Sequence, residues 1–121
     1  MAVRSLIVDD NAHFLASARD LLEREGITVV GVASTAAEAV RLADQLRPDV
    51  TLVDIDLGDE SGFDLARQLA GSADPERSRV VLISTYPQAD FVDLITASPA
   101  AGFIPKSELS GMAIREIMDS G

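Results

Sequence analysis

Five short apolar runs punctuate the chain: Val3 to Val8, Ile27 to Val32, Val50 to Val53, Val80 to Ile83 and Gly102 to Ile104. They are of strand length, rich in β-branched residues and almost without polar alternation, the pattern of strands covered on both faces. Between them the apolar positions recur at helical period. Phe14, Leu15, Ala18, Leu21 and Leu22 share one face of a helix that stops near Gly26. Ala36, Ala39, Val40, Ala43 and Leu46 form a second stripe, opened by Ser34 or Thr35 as N-cap and closed by Arg47-Pro48. A third helix carries Phe63, Leu65, Ala66 and Leu69, and a fourth Phe91, Val92, Leu94 and Ile95. The fifth carries Leu109, Met112, Ile114, Ile117 and Met118, with both methionines read as core packing.

Strand and helix thus alternate five times, which predicts an α/β fold: a single five-stranded parallel sheet, doubly wound as (βα)5, with right-handed crossovers. Only Ala70 to Arg79 reads as a loose connection, and no internal repeat or linker appears. Residues 1–121 are expected to form one domain. The last helix runs out at Asp119-Ser120-Gly121, so no further domain is expected within the chain.

The 121 residues suit one core, since domains are typically on the order of 100 to 150 residues. There is no cysteine, which excludes disulfides and thiolate metal sites. Twenty acidic side chains face ten basic ones, a formal charge of -10, which argues against nucleic acid or an anionic membrane as direct partner. No apolar run approaches the roughly 18 residues of a membrane span, and the N-terminus has no secretory pattern, so a cytoplasmic location is expected. The basic residues are nine Arg and a single Lys, Lys106.

In an open doubly wound sheet of strand order 2-1-3-4-5, ligands bind beyond the carboxyl ends of the strands, at the crevice between strands 1 and 3. The first run ends in Asp9-Asp10 and the third in Asp54-Ile55-Asp56, with Asp59-Glu60 following. The fourth ends in Ser84-Thr85 and the fifth in Pro105-Lys106. Converging carboxylates repel one another unless a cation neutralises them. Oxygen-only ligands point to a hard metal, and an incomplete carboxylate set suits Mg²⁺, with Asp10 and Asp54 as direct ligands and Asp9 through water. A carboxylate beside Mg²⁺ can also attack phosphorus and form an acyl phosphate. Ser84 would then donate to a phosphoryl oxygen, while Lys106 supplies a compact positive charge opposite the metal.

Each group also has an ordinary reading. Asp9-Asp10 and Asp54 could be helix caps, Ser84-Thr85 a helix entry before Pro87, and Lys106 a solvated charge. Their joint arrival at one crevice favours the chemical reading. His13, in the first turn of the first helix, reads as surface or capping.

Taken together, Leu6-Ile7-Val8-Asp9-Asp10, Val53-Asp54-Ile55-Asp56 with Ser61-Gly62, Leu82-Ile83-Ser84 and Gly102-Phe103-Ile104-Pro105-Lys106 resemble the receiver domain of two-component response regulators. The resemblance covers essentially the whole chain, and its last segment looks most like the NarL/FixJ (LuxR-type) subfamily. It implies the CheY-like, flavodoxin-like version of the fold. It also implies Asp54 as phosphoacceptor, Asp10 as Mg²⁺ ligand assisted by Asp9, and Asp56 as a metal ligand through its backbone carbonyl. Ser84 and Lys106 would bind the phosphoryl group, and Phe103 would be the aromatic switch residue that follows Ser84. A sensor histidine kinase is the implied donor. The face of helix 4, strand 5 and helix 5 would then control homodimerisation or a DNA-binding output domain, making the chain a switch and not a turnover enzyme.

Several positions depart from the family pattern. Thr85 stands where a small residue is common, Tyr86 could shield an acyl phosphate, Ser107 replaces a frequent proline after the lysine, and Gly58-Asp59 replace a Met-Pro-Gly type of loop. Three rivals remain open. The Asp54-Ile55-Asp56 pair also resembles haloacid-dehalogenase phosphatases, although those carry it after the first strand. A flavodoxin-like cofactor binder would need a first loop without Asp9-Asp10, and a receiver-shaped module that is never phosphorylated is kept alive by Thr85.

Overall fold

In the computed structural model, which describes residues 3–72 and 79–119, strand and helix alternate along the whole chain. The order is β1 (Arg4–Val8), α1 (Ala12–Arg24), β2 (Thr28–Ala33), α2 (Ala36–Leu46), β3 (Val50–Asp54), α3 (Gly62–Ser72), β4 (Arg79–Ser84), α4 (Val92–Ala97), β5 (Gly102–Pro105) and α5 (Gly111–Asp119). The five strands form one parallel sheet, as the alternation predicts, in the expected order β2-β1-β3-β4-β5. A short antiparallel pair, Asp56–Leu57 with Glu60–Ser61, was not foreseen; it folds the connection after β3 back on itself. The greater part of the loose connection expected from Ala70 to Arg79, residues 73–78, lies outside the described residues, as do 120 and 121.

Successive side chains of a strand point to opposite faces, and here both faces are covered. Leu6, Val8, Val53 and Leu82 join one core cluster with Phe63, Leu65, Ala66 and Leu69 of α3 and Ala39 of α2. Ile7, Val50, Leu52, Val81 and Ile83 join the other, with Leu15, Ala18 and Leu22 of α1 and Ile114 of α5. This two-sided burial explains the missing polar alternation. Each fully buried Leu or Ile contributes about 1.5 to 3 kcal/mol through apolar area removed from water.

The helix boundaries have local causes. Asn11, not Asp9 or Asp10, caps α1: its Oδ1 accepts from the Phe14 N–H at 3.2 Å. Thr35 caps α2, its Oγ1 accepting from Glu38 N–H at 3.2 Å, while Glu38 reaches back to the Ser34 N–H at 2.9 Å. The expected stripes fail in two places. Residues Gln88–Phe91 form a 3₁₀ turn before a six-residue α4, which leaves Val92 and Leu94 exposed while Phe91 and Ile95 pack against the core. Met112 is 69% exposed, contrary to the core reading, because it lies off the face that carries Ile114, Ile117 and Met118.

α5 is fastened at both ends. At its start Glu25, after α1, accepts from the Gly111 N–H through Oε1 at 2.5 Å, and Arg115 donates to the Glu25 carbonyl at 2.8 Å. At its end Arg79 donates to the carbonyls of Ile117 and Met118 at 3.2 and 2.7 Å. By contrast α4 has no buried residue and no side-chain cap at its N-terminus; at its other end Ser98 Oγ donates to the Ile95 carbonyl at 2.8 Å.

Candidate functional site

The sheet delivers its polar groups at one edge because every strand runs in the same direction. Asp9 follows β1 and stays in the sheet through its N–H, which donates to the Ala33 carbonyl at 3.0 Å. The carboxylate of this fully buried residue accepts from Asn11 N–H through Oδ1 at 2.9 Å, a turn that leads into α1. Asp54 closes β3, and the next residue, Ile55, donates to the Ile83 carbonyl at 3.0 Å, holding the end of β3 against β4. Lys106 follows β5 directly, and Ser84 closes β4 opposite Pro105.

The carboxylates of Asp9, Asp10 and Asp54 each offer an oxygen within 4.8 Å of the others. Lys106 Nζ lies 2.5 Å from Asp9 Oδ2 and 3.0 Å from Asp54 Oδ2. Asp54 Oδ1 accepts from the Asp56 N–H at 3.1 Å. One ammonium thus stands against three carboxylates, and Asp9 Oδ2 is buried with only the ion pair and no aligned hydrogen bond among the described residues. That imbalance and that oxygen fit a divalent cation bound by oxygens, with Asp10 exposed at the mouth of the cluster to receive it.

Electrostatics sharpen the picture. Burial pushes the Asp54 carboxyl above the usual 3.8, and the negative Asp9 adds to the rise; the bonds from the Asp56 N–H and Lys106 pull the other way without cancelling it. For Lys106 burial works against the charge, but pairing with Asp9 and Asp54 outweighs it and holds the ammonium above 10.5.

A glycine makes the loop after Asp54 possible. The Gly62 N–H donates to the Ile55 carbonyl at 2.9 Å, and a Cβ at Gly62 would overlap the Asp54 carbonyl and the Ile55 backbone. Gly58, at φ +71°, lets the short antiparallel pair turn beside Asp10, and a Cβ there would meet Asp10 Oδ2 at 3.2 Å.

Of the residues singled out from the sequence, Asp9, Asp10, Asp54 and Lys106 meet here. Ser84 is buried, and its Oγ accepts from the Tyr86 N–H at 2.9 Å, which leaves its own O–H to donate. Thr85 is exposed. Phe103 is half-buried beside the first core cluster. The Asp56 side chain is exposed and accepts from Gly58 N–H at 3.2 Å, outside the carboxylate cluster. Glu60, which the sequence places near the crevice, instead accepts from the Ala36 N–H at 3.0 Å at the start of α2. Tyr86 is exposed, its ring 6.3 Å from that of Phe91. His13 is exposed, and every described peptide bond, Lys106-Ser107 included, is trans. One contact was not foreseen: Lys106 Nζ sits 4.2 Å from the centroid of the Phe14 ring, a residue the periodicity assigns simply to the core.

Comparison with known proteins agrees with this geometry. The family model of the response regulator receiver domain matches residues 5–117. A protein-glutamate methylesterase/protein-glutamine glutaminase of Alkalilimnicola ehrlichii is 36% identical over 117 residues, which cover 92% of this chain and 29% of that protein. The chemotaxis protein CheY of Thermotoga maritima is 32% identical over 106 residues, covering 88% of this chain and 87% of that one. Among solved structures, the signal receiver domain of the response regulator NarL from Mycobacterium tuberculosis superposes with a TM-score of 0.85 at 27% identity, covering 99% and 98% of the two chains. The chain spans less than a third of the length of the methylesterase it matches. No described helix is long and apolar enough to cross a membrane. Strand order, the acidic cluster at the sheet's carboxyl edge and the family match over residues 5–117 agree: the chain belongs to the response regulator receiver domains of two-component systems.

Proposed function

We propose that Asp54 accepts a phosphoryl group from the phosphohistidine of a sensor histidine kinase, with Mg²⁺ held by Asp9, Asp10, Asp54 and the Asp56 carbonyl. An Asp54 carboxylate oxygen attacks phosphorus, the P–N bond to the kinase histidine breaks, and its electron pair stays on that nitrogen, which leaves an acyl phosphate on Asp54. When bound by these residues, the cation would offset the carboxylate charge and supply Lewis-acid stabilisation to the phosphoryl oxygens. The observation that carries this reading is the approach of three carboxylates to within 4.8 Å with Lys106 against two of them.

The chain's own residues then have distinct tasks. Lys106 offers its ammonium to a phosphoryl oxygen as Asp54 gives up its charge. Ser84 has a hydroxyl hydrogen to donate, and Phe103 follows Ser84 inward. The surface of α4, β5 and α5 changes with them and controls homodimerisation or an output domain of the transcription-regulator kind. The domain itself, at a formal charge of -10, does not hold nucleic acid, and it works in the cytoplasm where its kinase donor is presented.

Incubation with acetyl phosphate and Mg²⁺, followed by intact mass, tests the reading. The protein gains one phosphoryl group that is lost on mild alkaline or acid treatment, and Asp54→Asn gains none. Uptake by the Asp54→Asn protein at the normal rate would overturn it.

A further inference from the structure

Three groups surround the Lys106 ammonium: Asp9 Oδ2 at 2.5 Å, Asp54 Oδ2 at 3.0 Å, and the Phe14 ring with its centroid at 4.2 Å. The reading above uses the two carboxylates and leaves the ring unexplained. An ammonium has three N–H bonds. One is directed at Asp54 Oδ2, Asp9 Oδ2 adds an ion pair without an aligned hydrogen bond, and the ring lies against the ammonium as a third neighbour. Its π face attracts the cation, and the attraction grows as water is removed.

The ring is held where it is by the start of α1. The Phe14 N–H is bound by Asn11 Oδ1 at 3.2 Å, so the cap sets the phase of the helix and the phase sets where the ring stands. The side chain is half-buried against the core cluster that includes Ile104 and Leu109, two residues before and three after Lys106 along the chain. The same capping turn begins at Asp9 Oδ1, which binds the Asn11 N–H. One turn of chain therefore places both Asp9 and Phe14 against the same cation.

We propose that Phe14 is a positioning residue for phosphoryl acceptance: its ring face holds the Lys106 ammonium beside Asp54, where a phosphoryl oxygen arrives. The role rests on the reading of Asp54 as phosphoacceptor. Phe14 touches neither phosphate nor metal and acts only through Lys106. An aliphatic side chain of similar volume keeps the packing and loses the π face. Phosphoryl uptake then falls about fivefold, the effect of a partly desolvated cation–π contact expressed as a rate.

Lys106 is the chain's only lysine, so labelling with ¹³C,¹⁵N-lysine gives one side-chain signal for the test. In the unaltered protein the ε-methylene protons are moved upfield by the ring current of Phe14. In Phe14→Leu they return toward the position of an unstructured lysine, and in Phe14→Tyr they stay upfield. With acetyl phosphate and Mg²⁺, Phe14→Leu is phosphorylated about fivefold more slowly, and Phe14→Tyr within twofold of the unaltered chain. Circular dichroism checks the fold, and Phe14→Met replaces the leucine variant if that variant does not fold. A Lys106 signal indifferent to Phe14→Leu overturns the proposal, as does a leucine variant that loses the shift yet is phosphorylated at the full rate. If the unaltered chain takes no phosphoryl group, the phosphoacceptor reading fails and the positioning role fails with it; the lysine signal then still reports whether the ring holds the ammonium.

Discussion

Lys106 lies nearer to Asp9 than to Asp54: its ammonium is 2.5 Å from the one carboxylate and 3.0 Å from the other. Asp9 is fully buried and Asp54 nearly so, while the lysine side chain is 13% exposed. The lysine therefore neutralises two largely buried carboxylates, and only one of them is the proposed phosphoacceptor.

Removing that ammonium leaves two buried carboxylates facing each other. Lys106→Ala should destabilise the fold by about 3 kcal/mol at pH 7, since breaking a buried pair strands the partner's charge. Urea denaturation measures it. Lys106→Arg should recover part of the stability while phosphoryl uptake stays impaired, because a planar fork does not fit the space of a compact ammonium.

The raised Asp54 carboxyl makes a prediction of opposite sign. Its folded value lies above 3.8, so between 3.8 and that value the native state holds more proton than the unfolded chain, and stability falls as pH rises through the window. At pH 7 the cost is fully present. Asp54→Asn should therefore melt at a higher temperature than the unaltered protein at pH 7, with the gap closing as the pH falls below 3.8. Thermal melts of both proteins at pH 7 and pH 3.5 decide it. A variant less stable at pH 7 contradicts the assignment.

The elevated Lys106 gives a second window at the alkaline end. The unfolded lysine loses its proton near 10.5 and the native one later, so its contribution is complete below 10.5 and is lost as pH rises through the folded value. Stability should drop above pH 10.5, and less steeply in Asp54→Asn, where one of the two carboxylates that hold the proton is gone. Urea midpoints from pH 9 to 11.5 follow it.

Added Mg²⁺ should stabilise the protein by mass action, by about 1.4 kcal/mol at ten times its dissociation constant. Asp10 is exposed and outside the Lys106 pairing, so Asp10→Asn should leave metal-free stability within about 0.5 kcal/mol and remove most of the Mg²⁺ gain. Melting temperatures with and without Mg²⁺ measure both effects.

Gly62→Ala tests the loop. The added methyl would overlap the Asp54 carbonyl and the Ile55 backbone, neither of which can turn aside as a flexible side chain would. A loss of about 3 kcal/mol is expected, with slower phosphoryl uptake because Asp54 itself must shift. Urea denaturation and the acetyl phosphate assay check the two parts.

The sheet was legible because two-sided burial leaves continuous apolar runs and alternation of strand and helix implies parallel strands; the order of the strands came with the fold type and not from the alternation. Asp9, Asp10, Asp54, Ser84 and Lys106 were legible as strand-end residues, since parallel strands put all their carboxyl ends at one edge. What escaped depended on contacts between distant segments. Nothing in the local pattern says that Glu60 binds the start of α2, or that the Asp56 carboxylate turns toward Gly58. Phe14 has the spacing of a core residue and is one on one side; that Lys106, ninety-two positions later, sits over its ring is a fact of the folded chain alone. Met112 and the α4 residues Val92 and Leu94 misled because apolar composition was read as burial where the helix is too short or the residue off the face.

The fastenings of α5 set where this domain yields. Moving α5 as a body means releasing Glu25 from Gly111 and Arg79 from two carbonyls, whereas α4 has no fully buried side chain and only the local bond from Ser98 to Ile95 to release. Opening free energies within one fold range from near zero to the global value, and the sparse burial of α4 is what the low end of that range looks like. Its amides should therefore exchange with solvent before those of α5, making one short helix the first part of the domain to loosen.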